Sequence, residues 1–177
     1  MDALDEERNI QETNRLLLTL FEDDSCVLLQ EYMNEIAPNL EKLAWRTDYY
    51  ERSADRKRFS EEEYVKIKKN YMLLLVNYWL IAKKLESTCG DNTPKLIYFY
   101  SNKKCDDCKA QGIILDSVKK EHEEIMVFSM DKDIDLSTIR LIAGIYNVTE
   151  VPSLVINDET YNGFMNKKEV EEALFGK

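Results

Sequence analysis

Hydrophobic residues recur at helical spacings of three and four in the first half of the chain and form short apolar runs in the second half. The helical spacing predicts three helices, over about residues 4–21, 25–53 and 61–88. The third helix has clear end signals, because Ser60 and Glu63 form a capping-box pattern and Gly90 follows its last turn. We therefore predict an antiparallel helical hairpin within a three-helix region that spans residues 1–90.

Residues 94–177 alternate between strand-like and helix-like patterns. Strands are predicted at 96–101, 125–130, 153–157 and 160–163, and helices at 105–121, 136–146 and 166–175. In the first of these helices, Ile113, Ile114 and Val118 are expected to face the core. The chain is therefore predicted to be α+β, with the helical region at 1–90 followed by a β-α-β-α-β-β-α domain at 94–177.

Two cysteines separated by two residues follow the first predicted strand. Cys105 and Cys108 begin the next helix, and their spacing brings both thiols onto one helical turn. The partial positive charge of a helix N-terminus favours the thiolate of the first cysteine. Such a pair predicts a dithiol–disulfide centre, in which Cys105 attacks a partner sulfur and Cys108 resolves the mixed disulfide. The alternative is a zinc site, for which Cys26 and Cys89 could supply the two further ligands.

The order of elements and the position of this cysteine pair resemble a known family. With Cys105 and Cys108 at the end of the first strand, residues 95–175 resemble the thioredoxin fold in its short, glutaredoxin-like form. The segment 146–156 adds to the resemblance, because a helix, a Val-x-x-x-Pro connection and an apolar strand follow one another as they do around the cis-proline of that family.

This resemblance implies a binding surface and an activity. Pro152 would be cis and face Cys105, the backbone of Val151 would pair with the partner's extended chain, and Gly163 would leave room for that chain. The implied activity is that of a thiol–disulfide oxidoreductase, with protein thiols and disulfides as partners and no cofactor. The direction of electron transfer is left open.

Four positions depart from the family pattern. Asp106 and Asp107 replace the Gly-Pro that thioredoxins usually carry between the cysteines, and Lys104 replaces a tryptophan. Tyr98 aligns with the buried acid of thioredoxins. The alternative to an enzyme is therefore a redox-inactive binding or scaffold protein, with the helices as its interaction element.

The remaining cysteines, Cys26 and Cys89, are predicted to form a structural disulfide. They lie at the start of the second predicted helix and at the end of the third, so an antiparallel hairpin brings them to the same end. Each also continues the apolar stripe of its helix, so each is expected to point into the interface. Such a disulfide would indicate an oxidising, extracytoplasmic compartment. The alternative is a pair of buried free cysteines in a cytoplasmic protein.

Composition and charge exclude several classes of protein. The net charge of -10 argues against nucleic-acid binding, because no basic face is available to neutralise phosphates. The longest apolar stretch, residues 71–82, is too short to span a bilayer. The sequence begins with a polar, acidic segment rather than a signal peptide, a pattern that loss of an N-terminal membrane anchor would also produce. No metal site is expected around His122, the one histidine of the chain.

Overall fold

The computed structural model describes residues 26–52 and 60–176. The predicted helix at 4–21 lies outside these described residues. The first two described elements are the helices α1 (Cys26–Arg52) and α2 (Glu61–Cys89), which pack side by side as an antiparallel hairpin. Helix α1 runs through Pro38 as one helix.

Both predicted end signals of α2 are confirmed. The hydroxyl of Ser60 accepts a hydrogen bond from the backbone N–H of Glu63, and the Glu63 carboxylate accepts one from the backbone N–H of Ser60. Gly90 ends the helix with a φ of 69°, a left-handed conformation that costs glycine little. Local sequence alone therefore fixes where this helix begins and ends.

A four-stranded sheet and three helices make up the rest. Their bounds are β1 (Lys95–Tyr100), α3 (Asp106–Glu121), β2 (Met126–Asp131), α4 (Ser137–Ile145), β3 (Ser153–Ile156), β4 (Glu159–Asn162) and α5 (Lys167–Phe175). The strand order is β2-β1-β3-β4, with β1 parallel to β2 and antiparallel to β3, and β3 antiparallel to β4. The predicted β-α-β-α-β-β-α order is confirmed.

Alternate residues of β1 face two different cores. Ile97 and Phe99 face the hairpin and α4, whereas Leu96 and Tyr98 face α3 and α5. More of helix α2 is buried than a single apolar stripe would bury, because the helix packs against α1 on one side and against the sheet on another. The hairpin and the sheet therefore share one continuous core, and the division of the chain at residues 90–94 stays a prediction.

One predicted core position of α3 is wrong. Ile113 is 70% exposed, whereas Val118 is buried and Ile114 packs partly against the core. The inner face of α3 consists instead of Cys108, Gln111, Leu115 and Val118. A short amphipathic helix with an apolar residue on its outer side does not reveal which side is buried.

Candidate functional site

The two cysteines of the Cys-x-x-Cys motif lie at the N-terminus of α3. Their sulfurs are 1.99 Å apart, at disulfide-bonding distance. Cys105 is the N-cap residue, and its Sγ accepts a hydrogen bond from the backbone N–H of Cys108 at 3.1 Å. Cys105 is half-buried, whereas Cys108 is only 3% exposed. The chain thus presents the first sulfur towards solvent and keeps the second in the core.

The residues predicted to bind a partner chain are Val151, Pro152 and Gly163, and Val151 lies next to Cys105. The Val151–Pro152 peptide bond is cis, and the carbonyl oxygen of Val151 lies 3.9 Å from Sγ of Cys105. The backbone N–H of Gly163 donates to the carbonyl of Pro152 at 2.9 Å. Gly163 has a φ of 95°, and a Cβ at this position would also lie 3.4 Å from the Glu150 carboxylate. The fold therefore places the Val151 carbonyl beside Cys105 and joins Gly163 to Pro152, the next residue after Val151.

Charges of both signs flank the half-buried Cys105 along the chain. Lys103 and Lys104 lie before it and Asp106 and Asp107 after it, all four exposed. A hydrogen bond from the Lys109 ammonium, 2.8 Å away, lowers the pKa of the Asp106 carboxyl and offsets part of its negative charge. The helix N-terminus and the two lysines favour a thiolate at this point, and Asp107 opposes it.

The sequence analysis did not predict the hydrogen bonds of two buried polar side chains on β1 and α3, Tyr98 and Gln111. The hydroxyl of Tyr98 donates to the carbonyl oxygen of Cys108, and burial raises the pKa of this phenol. Gln111, one turn beyond Cys108, is fully buried, and its Oε1 accepts from the backbone N–H of Met165 at 2.8 Å. Its amide nitrogen has no hydrogen-bond partner within residues 26–52 and 60–176. The spacing of Gln111 from Cys108 placed it on the inner face of α3, which is the one signal that could have identified it.

A buried lysine of the hairpin lies at the carboxyl ends of β1 and β2, the edge from which the chain turns towards Cys105. Lys68 on α2 is 1% exposed. Its ammonium pairs with Glu51 of α1 at 2.5 Å and with Asp131, the last residue of β2. Burial alone would lower the pKa of Lys68, but the neighbouring oxygens of Tyr100, Asp131 and Glu51 raise it above its ordinary value. Lys68 is therefore a charged, paired group inside the core.

The segment between β1 and α3, residues 101–105, is called the cysteine loop below. The side-chain nitrogen of Asn102 donates to Glu51 and to Asp131, each at 3.2 Å. The Asp133 carboxylate accepts from the hydroxyl of Ser101 at 2.8 Å and from the backbone N–H of Asn102 at 3.0 Å. The cysteine loop is thus attached both to the end of β2 and to the helical hairpin.

The other two cysteines join the hairpin at its opposite end. The sulfurs of Cys26 and Cys89 are 2.15 Å apart, across a sequence separation of 63 residues. The bond joins the first residue of α1 to the last residue of α2, with Cys26 exposed and Cys89 half-buried. Because each cysteine is paired within its own disulfide, the arrangement does not favour the zinc alternative.

The described residues contain one group that has the geometry of a metal site. It consists of Glu121, His122 and Glu171, between α3 and α5. The ammonium of Lys167 already lies 2.5 Å from Glu121 and 3.6 Å from Glu171. This ammonium offsets part of the negative charge of the two carboxylates. Within the same described ranges, no helix is both long and apolar enough to cross a membrane.

Comparison with known proteins gave solved structures only. No protein-family model and no curated protein matches the chain. A thioredoxin-like protein from Clostridium perfringens is 22% identical over 49% of this chain and 71% of its own, with a TM-score of 0.42. Thioredoxin O2 from Arabidopsis thaliana is 19% identical over 51% and 82% of the two chains (TM-score 0.39), and Fasciola hepatica thioredoxin 20% identical over 52% and 90% (TM-score 0.36).

The assignment of the fold rests on the topology of this chain itself. A parallel β1–α3–β2 unit is extended by the antiparallel strands β3 and β4, and α5 closes the same side of the sheet as α3. The cysteine pair lies at the end of the first strand, with Sγ of Cys105 near the carbonyl of Val151, the residue before the cis-proline. Residues 95–175, about half of the chain, therefore form a thioredoxin-fold domain that follows a helical hairpin.

Proposed function

We propose that the chain is a thiol–disulfide oxidoreductase that uses Cys105 and Cys108. One observation carries the proposal: the half-buried sulfur of Cys105 accepts a backbone hydrogen bond at a helix N-terminus while its disulfide partner is buried beneath it. This asymmetry suits an attacking thiol and a resolving thiol. A disulfide kept only for stability needs no such difference in exposure.

The reaction is a two-electron exchange in two steps. In the reducing direction, the Cys105 thiolate attacks one sulfur of a partner disulfide, and the other partner sulfur leaves as a thiolate. The Cys108 thiolate then attacks Sγ of Cys105, which releases the second partner sulfur and forms the Cys105–Cys108 disulfide. The partner gains two electrons and, from solvent, two protons. The oxidising direction is the reverse of these steps.

Binding of the partner is assigned to the backbone beside Cys105. The carbonyl oxygen of Val151 accepts from an extended peptide, and Gly163, which has no side chain, leaves room for that peptide. The 3.9 Å between the Val151 oxygen and Sγ of Cys105 supports this role, because a peptide paired there would bring its own sulfur next to the nucleophile. The partners proposed are therefore proteins with an accessible disulfide or dithiol.

The test is a disulfide-reduction assay on four proteins. Cys105→Ser is expected to abolish turnover. Cys108→Ser is expected to abolish turnover as well, but to accumulate a mixed disulfide with the partner because the resolving thiol is missing. The wild-type chain and a Cys26→Ser/Cys89→Ser variant, which keeps both catalytic thiols, are expected to be active. Activity that survives in Cys105→Ser would refute the proposal.

Reactivity of the reduced protein gives a second measurement that needs no partner. Cys105 is expected to react with iodoacetamide at least about tenfold faster than Cys108, because it lies half-buried at the helix start whereas Cys108 is buried. Peptide mass spectrometry after short exposure to the reagent measures both rates. Equal rates, or faster labelling of Cys108, would contradict the assigned roles.

One observation favours a binding function for the hairpin as a second candidate. Trp45, 65% exposed, stacks on Tyr49 on the outer surface of α1, with ring centroids 5.4 Å apart. Exposed aromatic pairs are frequent anchors of protein interfaces. If the chain is a scaffold rather than an enzyme, Trp45→Ala would remove its partner binding whereas Cys105→Ser would not.

A further inference from the structure

The hairpin contributes charged groups to the base of the cysteine loop. Lys68 could be replaced by an apolar side chain if its only role were to fill the space between α2 and the sheet. A buried charge is costly unless it is paired and its hydrogen bonds are satisfied, and replacement of a buried ion pair by apolar residues often stabilises a protein. Its two acidic partners, Glu51 and Asp131, also both accept from Asn102. The buried charge therefore lies where the hairpin and the cysteine loop meet.

The cysteine loop needs such support because its backbone is strained. Lys104 has a φ of 51°, a conformation that residues other than glycine adopt at a cost of about 1 kcal/mol or more. On one side of it lies Cys105, fixed as the N-cap of α3. On the other side lies Asn102, fixed by its side-chain and backbone hydrogen bonds. The anchors on both sides hold Lys104 in this conformation.

We propose that the helical hairpin holds the cysteine loop in place through Glu51, Lys68 and Asn102, and that Asn102 is thereby a positioning residue for Cys105. The proposal rests on the proposed function, in which Cys105 is the attacking thiol. Lys68 keeps the two carboxylates together, and their oxygens fix the side chain of Asn102. Asn102 then fixes the loop so that Sγ of Cys105 stays within reach of the Cys108 N–H.

The sign of the effect separates positioning from simple electrostatics. Removal of Glu51 takes a negative charge away from the neighbourhood of Cys105, and this change alone would lower the pKa of the Cys105 thiol. Loss of positioning has the opposite effect, because a freed loop lets Sγ leave the helix N-terminus and the thiolate loses that stabilisation. A rise in the thiol pKa after Glu51→Ala therefore reports positioning.

The experiment measures the alkylation rate of Cys105 against pH in the reduced full chain. We expect Glu51→Ala and Asn102→Ala each to raise the thiol pKa and to slow alkylation at pH 7 about threefold. The double variant is expected to be no slower than either single variant, because both changes break the same contact. Glu51→Gln keeps the acceptor oxygen without the charge and is expected to alkylate at least as fast as wild type.

Lys83→Ala is the matched control. It breaks another contact between the hairpin and the domain, the 3.0 Å pair of Lys83 with Asp158 in the turn between β3 and β4. We expect it to leave the thiol pKa unchanged. Since Asn102 is exposed, Asn102→Ala is expected to fold as wild type does, which a denaturant titration checks.

The outcomes distinguish this inference from the proposed function. A thiol pKa that is unchanged or lowered in both Glu51→Ala and Asn102→Ala would overturn the inference, whatever the activity of the chain. An equal rise in Lys83→Ala would also overturn it, because the effect would then not be specific to the loop. An inactive wild-type chain would refute the proposed function alone, since the alkylation rates need no partner.

Discussion

The hydroxyl of Tyr98 donates a hydrogen bond to the backbone carbonyl of Cys108, with 2.5 Å between the oxygens. Tyr98 lies in the central strand β1, and Cys108 in the first turn of α3. Both residues are buried. The start of the cysteine-bearing helix is therefore attached directly to the middle of the sheet, by a phenol at the position where the family resemblance placed a carboxyl group.

Replacement of Tyr98 by Phe is expected to destabilise the oxidised protein by about 1 kcal/mol, because one buried hydrogen bond is lost while the ring is kept. Urea unfolding measures the change. Tyr161→Phe is the control, since the Tyr161 hydroxyl bonds the carboxylate of Glu159, an exposed residue of the edge strand β4. This control is expected to change stability by less than about 0.5 kcal/mol. If both substitutions lower the free energy of unfolding equally, the hydrogen bond to Cys108 stabilises the fold no more than the exposed one does.

The buried ion pair of Lys68 predicts a large loss of stability. Lys68→Met is expected to cost about 3 kcal/mol, because it leaves the buried carboxylate of Asp131 without its cation. Asp131→Asn removes that uncompensated charge, so the double variant Lys68→Met/Asp131→Asn is expected to be more stable than Lys68→Met alone. Denaturant unfolding of the wild type, both single variants and the double variant gives the four free energies of a double-mutant cycle. A double variant at least as unstable as the sum of the two single changes would contradict this account.

The local features of this fold and the Cys26–Cys89 pair could be predicted from sequence, whereas the contacts of the buried charges could not. The capping box at Ser60, the stop at Gly90 and the motif at Cys105 each depend on residues within a few positions of one another. The apolar runs of the strands likewise gave their order, with ends displaced by about one residue, as expected for frayed ends.

Lys68 shows why part of the site could not be predicted. In the sequence it is one of several lysines in a charged stretch, and nothing nearby distinguishes it from a solvated residue. Its partner Glu51 lies 17 residues away on another helix, and Asp131 is beyond the linker at the end of β2. Only the packing of the hairpin on the sheet brings these three charges together. The helix stripe of α2 could not indicate this, because the helix is buried on two sides.

Alkaline pH is expected to destabilise the protein through its buried phenols. Burial, together with a hydrogen bond to Asp158, raises the pKa of Tyr146 to about 12 from an ordinary value near 10. Below pH 10 the Tyr146 phenol is neutral in both the folded and the unfolded chain, so its contribution to stability is fully present. Between about pH 10 and 12 the unfolded chain loses this proton first, so the free energy of unfolding falls as pH rises.

Absorbance at 295 nm checks this titration. At pH 11 the folded chain is expected to show fewer ionised phenols than the chain in urea, and Tyr146→Phe is expected to reduce that difference. If the difference between the folded chain and the chain in urea is the same in Tyr146→Phe as in the wild type, Tyr146 ionises normally in the folded protein.

The disulfide between Cys26 and Cys89 is proposed to be structural, and to indicate that the protein works in an oxidising compartment. It closes a loop of 63 residues, which in the chain-entropy model stabilises the folded state by about 4 kcal/mol. Cys26→Ser/Cys89→Ser is expected to lose most of this amount in urea unfolding. The loss arises in the unfolded chain, which regains the freedom that the cross-link removes.

The Cys105→Ser/Cys108→Ser variant is the matched control for this loss. Its missing disulfide closes a loop of only 3 residues, so the unfolded chain gains little freedom and the loss is expected to be much smaller. Alkylation of the unfolded, unreduced protein followed by intact-mass measurement tests the cross-link itself. Cys26 and Cys89 are expected to stay unlabelled. If both are labelled, the hairpin has no cross-link in the native protein, and the inference of an oxidising compartment fails with it.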